Sequence, residues 1–126
     1  MNPIKRYSQA QSATASPERI MVLLFEAALR NIRAGAQALE SGEVTQASRP
    51  LSNAAEIVAA LDGCFDPTRF PALARNLGSI YRFVCQRLVL ANLHRDAGMA
   101  REAERVFFPV ADAFSSAVEM AKTGTR

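Results

Sequence analysis

The chain has 126 residues, is 49% hydrophobic, and carries 15 basic and 12 acidic residues for a net charge of +3. That length and apolar fraction suit one globular domain that buries a core without disulfides or metals. No apolar run approaches the ~18 residues of a membrane span, and the charged start from Met1 to Tyr7 lacks a signal-peptide core, so neither feature is expected. The basic residues are scattered from Lys5 to Arg126 and form no block, which is only weak evidence for a nucleic-acid partner. Cys64 and Cys85 have no ligand-like spacing and fall in apolar helical patterns. Both are read as reduced packing residues, in keeping with a cytoplasmic protein.

Residues 1–16 have no helical or strand period and are expected to form an irregular arm. The segment Thr14-Ala15-Ser16-Pro17-Glu18 then opens a long helix. Ser16 can cap it, Pro17 suits the first helical position, and Glu18 puts negative charge where the helix dipole favours it. This first helix is expected over Pro17 to Ser41, stopped by Gly42, with Met21, Phe25, Ala28, Ile32, Gly35 and Leu39 as its core stripe. Leu23 and Leu29 fall outside the stripe.

A second helix is expected from about Thr45, with Ala47, Leu51, Ala54, Ile57 or Val58, and Leu61 on one face. Pro50 would then kink its first turn. A shorter helix with Pro50 in the first turn is the less favoured alternative. Asp62, Gly63, Asp66, Pro67 and Pro71 supply the turn chemistry of the next connection.

The third helix, about Ala72 to Asp96, carries Leu73, Leu77, Ile80 with Tyr81, Val84, Leu88 and Ala91. Phe83 and Leu90 project to one side of that stripe, Val89 and Leu93 to the other, so several packing partners are expected. Gly98 should close it. A fourth helix runs to about Lys122 with Met99, Ala103, Val106, Val110, Phe114, Ala117 and Ala121 inward, a bend at Pro109, and Phe108 projecting opposite the stripe. Phe114 is expected to be buried between helices. Residues 123–126 should fray. Four helices of roughly 20 to 25 residues with short connections predict an all-α, antiparallel up-down four-helix bundle over residues 17–122.

Catalytic constellations are scarce. One histidine, His94, leaves no basis for a His-based metal cluster, and no glycine-rich phosphate loop precedes a helix. The sharpest enzymatic pattern is Arg87-x6-His94, which resembles the arginine and histidine spacing of small helical ribonucleases of the HEPN type. Leu88 stands where that motif usually has a polar residue, and a solvated histidine at a helix C-terminus is the better explanation. A basic helical nucleic-acid adaptor is the other alternative.

The chain resembles the flagellin export chaperone family FliS. The resemblance is carried by Tyr7, by Thr14 to Glu18 followed by Leu23-Leu24-Phe25-Glu26-Ala27-Ala28, by Asn76 to Phe83, by Arg87 to Asn92 with Asp96, and by Asp112-Ala113-Phe114. Phe25 stands where the family usually has tyrosine, and Phe114 where tryptophan is common. The resemblance implies a four-helix bundle without enzymatic activity, cofactor or metal. Its implied partners are the disordered C-terminal segment of flagellin and the cytoplasmic domain of the flagellar export gate, with no nucleic acid and no membrane insertion; a homodimer is left open. The apolar surplus outside the core stripes, Leu23, Leu29, Phe83, Val89, Leu90, Leu93 and Phe108, is then the expected client-binding surface. Core and groove are alike in composition, so about half of these are expected to be ordinary core. Asn92 is expected to hold two helices in register. In the resembling family the arm is thought to lie over the client groove, which would make Ile4 and Tyr7 a lid.

Overall fold

A computed structural model describes residues 16–123. It contains α1 (Pro17–Glu40), a short 3-10 turn (Val44–Gln46), α2 (Ser48–Leu61), α3 (Pro71–His94) and α4 (Ala97–Thr123). Each helix packs on its neighbours in chain order, and α4 closes the ring on α1. Paired residues run in opposite directions along α1 and α4, and along α2 and α3, where Asn92 also meets Ser48. Arg33 meets Glu104 and Glu40 meets Arg101 between α1 and α4, Cys85 meets Ala55 between α3 and α2, and Arg87 meets Glu102 between α3 and α4. The expected antiparallel four-helix bundle is the observed fold.

The start of α1 follows its local chemistry. The Ser16 hydroxyl accepts from the Arg19 amide at 3.1 Å and Pro17 occupies the first turn. At its end Gly42 takes a φ of 78°, and the amides of Gly42 and Glu43 return to the carbonyls of Leu39 and Ala38. This is a Schellman closure, and glycine enters the left-handed region without the steric cost of a side chain.

Two boundaries differ from expectation. α2 begins at Ser48 rather than Thr45, so Pro50 lies in the first turn, where an amide has no intrahelical acceptor to lose; Thr45 belongs to the separate 3-10 turn. α3 ends at His94 and is closed not by Gly98 but by Arg95, at a φ of 54°. The Asp96 carboxylate accepts from the Met99 amide at 3.3 Å, so the reversal is confined to Arg95, and Gly98 falls inside the first turn of α4. α4 continues through Pro109, which is exposed and has no amide hydrogen to give the Arg105 carbonyl.

The core is built from Leu24, Phe25, Ile32, Leu51, Ile57, Leu61, Val84, Leu88 and Phe107, all essentially buried. α4 presents a face turned toward Ala100, Ala103, Phe107 and Ala111. Of its expected stripe only Ala103 is fully buried. Met99, Val106, Val110 and Phe114 are half-buried, and Ala117 and Ala121 are exposed. Both Phe107 and Phe114 pack tilted on the Phe25 ring, at centroid distances of 5.6 and 5.2 Å, but only Phe107 is fully buried. Leu73 is also exposed rather than core. Cys64 lies exposed in the connection after α2, outside any helix, while Cys85 is half-buried. Burial pushes the Tyr81 hydroxyl up to about 12, with Cys64 and Asp62 adding to the shift, so it stays protonated at neutral pH.

At Gly35, α1 packs directly against Leu51 of α2. A Cβ there would stand 2.5 Å from Leu51 Cδ2 and 2.6 Å from its Cγ. Alanine gains about 1 kcal/mol in helix propensity, but Leu51 is buried and cannot swing into solvent. Overlap should win, and Gly35→Ala is expected to lose about 1–2 kcal/mol of stability. Urea unfolding checks this; unchanged stability would mean that Leu51 repacks freely.

An ion-pair chain ties α1 to α4. Arg101 makes two 2.8 Å bonds to Glu40 and one of 2.8 Å to Glu104, which also accepts from Arg33 at 2.7 Å. The Arg101 hydrogen bond holds the Glu40 carboxyl below the usual range. Burial raises that of Glu104, but hydrogen bonds from Arg33 and Arg101 outweigh it and leave it lowered. Carboxylates with depressed folded values stabilise fully above the ordinary glutamate range near pH ~4.3, and lose that contribution as pH falls through the depressed values. Arg101→Met should therefore be less stable at pH 7, with the difference shrinking in acid. Thermal melts of both proteins across pH 7 to ~3 test the trend, and a difference that grew in acid would contradict it.

Candidate functional site

Along α2, Ser48, Ser52, Ala55 and Ala59 are small residues three or four positions apart, so they share the flank that faces α3. The opposing flank of α3 carries Cys85, Val89 and Asn92, with Leu93 beside them. Small side chains on one helix and tall apolar ones on the other leave a groove of about 430 Å³, floored by Leu51, Ala55 and Leu88 and walled by Val89 and Leu93. Val89 is 57% and Leu93 69% exposed. Asn92 Nδ2 lies 3.4 Å from both the Ser48 and Ser52 hydroxyls, and the Cys85 thiol donates to the Ala55 carbonyl at 3.5 Å. Asn92 thus ties α3 to α2 as the sequence suggested, and the pair leaves amide and hydroxyl groups on the groove wall. Burial pushes the Cys85 thiol up, with Asp62 adding to the effect, so it stays neutral and behaves as a packing group.

The remaining surface candidates do not join this groove. Phe83 and Leu90 are half-buried on the opposite flank of α3, toward α4, where the Arg87 guanidinium sits 5.1 Å from the Phe83 ring centroid and Arg87 Nε lies 3.4 Å from Glu102 Oε1. Phe108 is exposed on α4 with the Arg33 guanidinium 5.6 Å from its ring, which places it on the α1 side. Leu23 is half-buried on α1. Leu29 packs into the core and offers no surface, because the α1 stripe is wide enough to include it. Ile4 and Tyr7 lie outside the described residues.

Sequence reading missed the α2 half of the groove. Its signal was present in the spacing of Ser48, Ser52, Ala55 and Ala59, but small residues attract no attention in a search for apolar surplus. Arg87 is engaged by Phe83 and Glu102, and His94 is exposed in the last turn of α3. Among the described residues no cluster of histidine, cysteine, aspartate and glutamate is placed to hold a metal, and no helix is long and apolar enough to cross a membrane.

A family model described as "Flagellar protein FliS" matches residues 1–121. The flagellar secretion chaperone FliS of Bacillus subtilis is 31% identical over 118 residues, covering 94% of this chain and 87% of the relative. That of Salmonella typhimurium is 32% identical over 116 residues, covering 88% and 86%. The flagellar secretion chaperone FliSB of Pseudomonas aeruginosa is 28% identical over 114 residues, covering 87% and 90%. With the helical bundle, a match along nearly the whole chain and relatives aligned over most of both lengths, the protein belongs to the FliS family of flagellar secretion chaperones.

Proposed function

We propose that this chaperone binds the C-terminal segment of unassembled flagellin in the groove between α2 and α3, in the cytoplasm, and hands it to the cytoplasmic domain of the export gate. The supporting observation is the pair Val89 and Leu93, 57% and 69% exposed over a floor of Leu51, Ala55 and Leu88. A disordered amphipathic segment that folds as it binds can bury its own apolar stripe there, at a gain of about 25 cal/mol per Å² of apolar surface less the cost of ordering the segment. Ser52 and Asn92 offer polar partners that fix its register. The surface that would otherwise nucleate filaments is then hidden. Ile4 and Tyr7 act as a lid in this reading, competing for the same apolar site in the free protein.

The FliS family is one of chaperones, not enzymes, and the ribonuclease and nucleic-acid readings gain nothing from it. Calorimetric titration of the full chain with a synthetic flagellin C-terminal segment tests the proposal. A saturable equimolar complex with a negative heat-capacity change is expected, and no binding would refute it.

A further inference from the structure

α3 outruns the helix it packs on. Asn92 faces Ser48 and Ser52, Cys85 faces Ala55, and Arg82 lies beside Asp62, just past the end of α2 at Leu61. The first two turns of α3, Pro71 to Leu77, therefore extend roughly 10 Å beyond α2. A connection without regular helix crosses there, and its Phe65 ring packs on Phe70 at 5.5 Å. Phe70 and Leu73 nevertheless stay 47% and 46% exposed. On the same overhang lies a cavity of about 420 Å³ whose lining includes Leu61, Phe65, Leu77 and Tyr81, with Arg75 and Asp62 as its charged groups.

The charges around this overhang are unevenly matched. Asp66 is committed to its own loop, accepting from the Thr68 amide at 2.9 Å and the Thr68 hydroxyl at 2.7 Å. Asp62 faces Arg82 at 3.9 Å. Among the described residues, Arg69 and Arg75 have no carboxylate within ion-pair distance. The Arg69 guanidinium instead lies 5.4 Å over the Phe70 ring, next to the apolar patch.

We propose that this overhang is a second docking site, separate from the α2–α3 groove, for an acidic amphipathic segment of a partner protein. Apolar side chains of that segment enter the cavity over Leu77 and Tyr81, and its carboxylates meet Arg69 and Arg75. Charge selects this occupant. Residues 1–15 contain Lys5 and Arg6 and no acidic residue, so the chain's own arm brings the same sign. A second copy meeting this patch across a two-fold axis sets arginines against arginines.

The probe is a fluorescein-labelled peptide of roughly 15 residues, about four helical turns, with leucine and phenylalanine on one face and glutamate on the other. Anisotropy with the full chain should show binding that weakens with salt, with no binding of the same peptide carrying lysine for glutamate. Arg69→Glu combined with Arg75→Glu should weaken it about tenfold or more, and Leu73→Ser, a change at an exposed position, should also weaken it. Both variants should keep the thermal midpoint, and the double variant should keep its calorimetric binding of the flagellin segment. Equal binding of both peptides, or of neither, would overturn the proposal, as would an unchanged affinity in the variants. So would a dimer seen in sedimentation that Leu73→Ser disperses, or loss of flagellin binding in the double variant. Failure of flagellin to bind the unaltered chain would count against the α2–α3 groove alone.

Discussion

Phe107→Ala is expected to lower the free energy of unfolding by about 3–5 kcal/mol, the range for truncating a fully buried aromatic. Its ring is sealed in the core against Phe25, and the bundle closes there between α1 and α4, so little collapse can fill the void. Phe114 touches the same Phe25 ring but keeps one side in water, and Phe114→Ala should cost only about 1–2 kcal/mol. Urea unfolding followed by circular dichroism measures both. A larger loss at Phe114 than at Phe107 would mean that α4 is rotated relative to the structure described.

Leu93→Asp is expected to weaken binding of the flagellin C-terminal segment by about tenfold to a hundredfold, as for a central contact at a peptide interface. It places a charge where the proposed client lays its apolar stripe, and that charge loses water on binding. Because Leu93 is 69% exposed in the free protein, the same change should move stability by no more than about 0.5 kcal/mol. Val89→Asp should act alike. Calorimetry and urea unfolding of the two variants separate the effects. Normal binding by both would exclude this groove wall as the client surface.

What was legible in the sequence was what local chemistry decides. Ser16, Pro17 and Glu18 announce α1 because cap, first-turn proline and dipole charge agree, and Gly42 marks its end because the closure needs a left-handed residue. The end of α3 was not legible. Arg95 adopts the left-handed conformation without the glycine that normally signals it, while Gly98 is a decoy three residues on. Pro50 admitted two helix starts, and the choice rests on the preceding 3-10 turn.

α4 offered two apolar ladders, one through Val106 and Val110 and one through Phe107 and Ala111. Helical period alone cannot rank them, and a ring from each reaches Phe25 on a different helix; the packing of the whole bundle, which seals Phe107 and leaves Phe114 half-buried, does. The candidate site has the same character. Val89 and Leu93 stand out as apolar surplus, but only the neighbouring helices reveal that Phe83 and Leu90 face α4, that Phe108 faces α1, and that Leu29 is core. The overhang of α3 depends on comparing where α2 and α3 end, which requires their pairing as well as their lengths.

The central claim is that the client lies between α2 and α3. Nuclear magnetic resonance of the isotope-labelled full chain, titrated with the flagellin C-terminal segment, tests it most directly. The account predicts that the strongest backbone amide shifts fall on Ser52, Ala55, Val89 and Leu93, on both walls of the groove. Shifts confined to the α1–α4 flank around Arg33 and Phe108, with the groove amides unmoved at saturation, would contradict it.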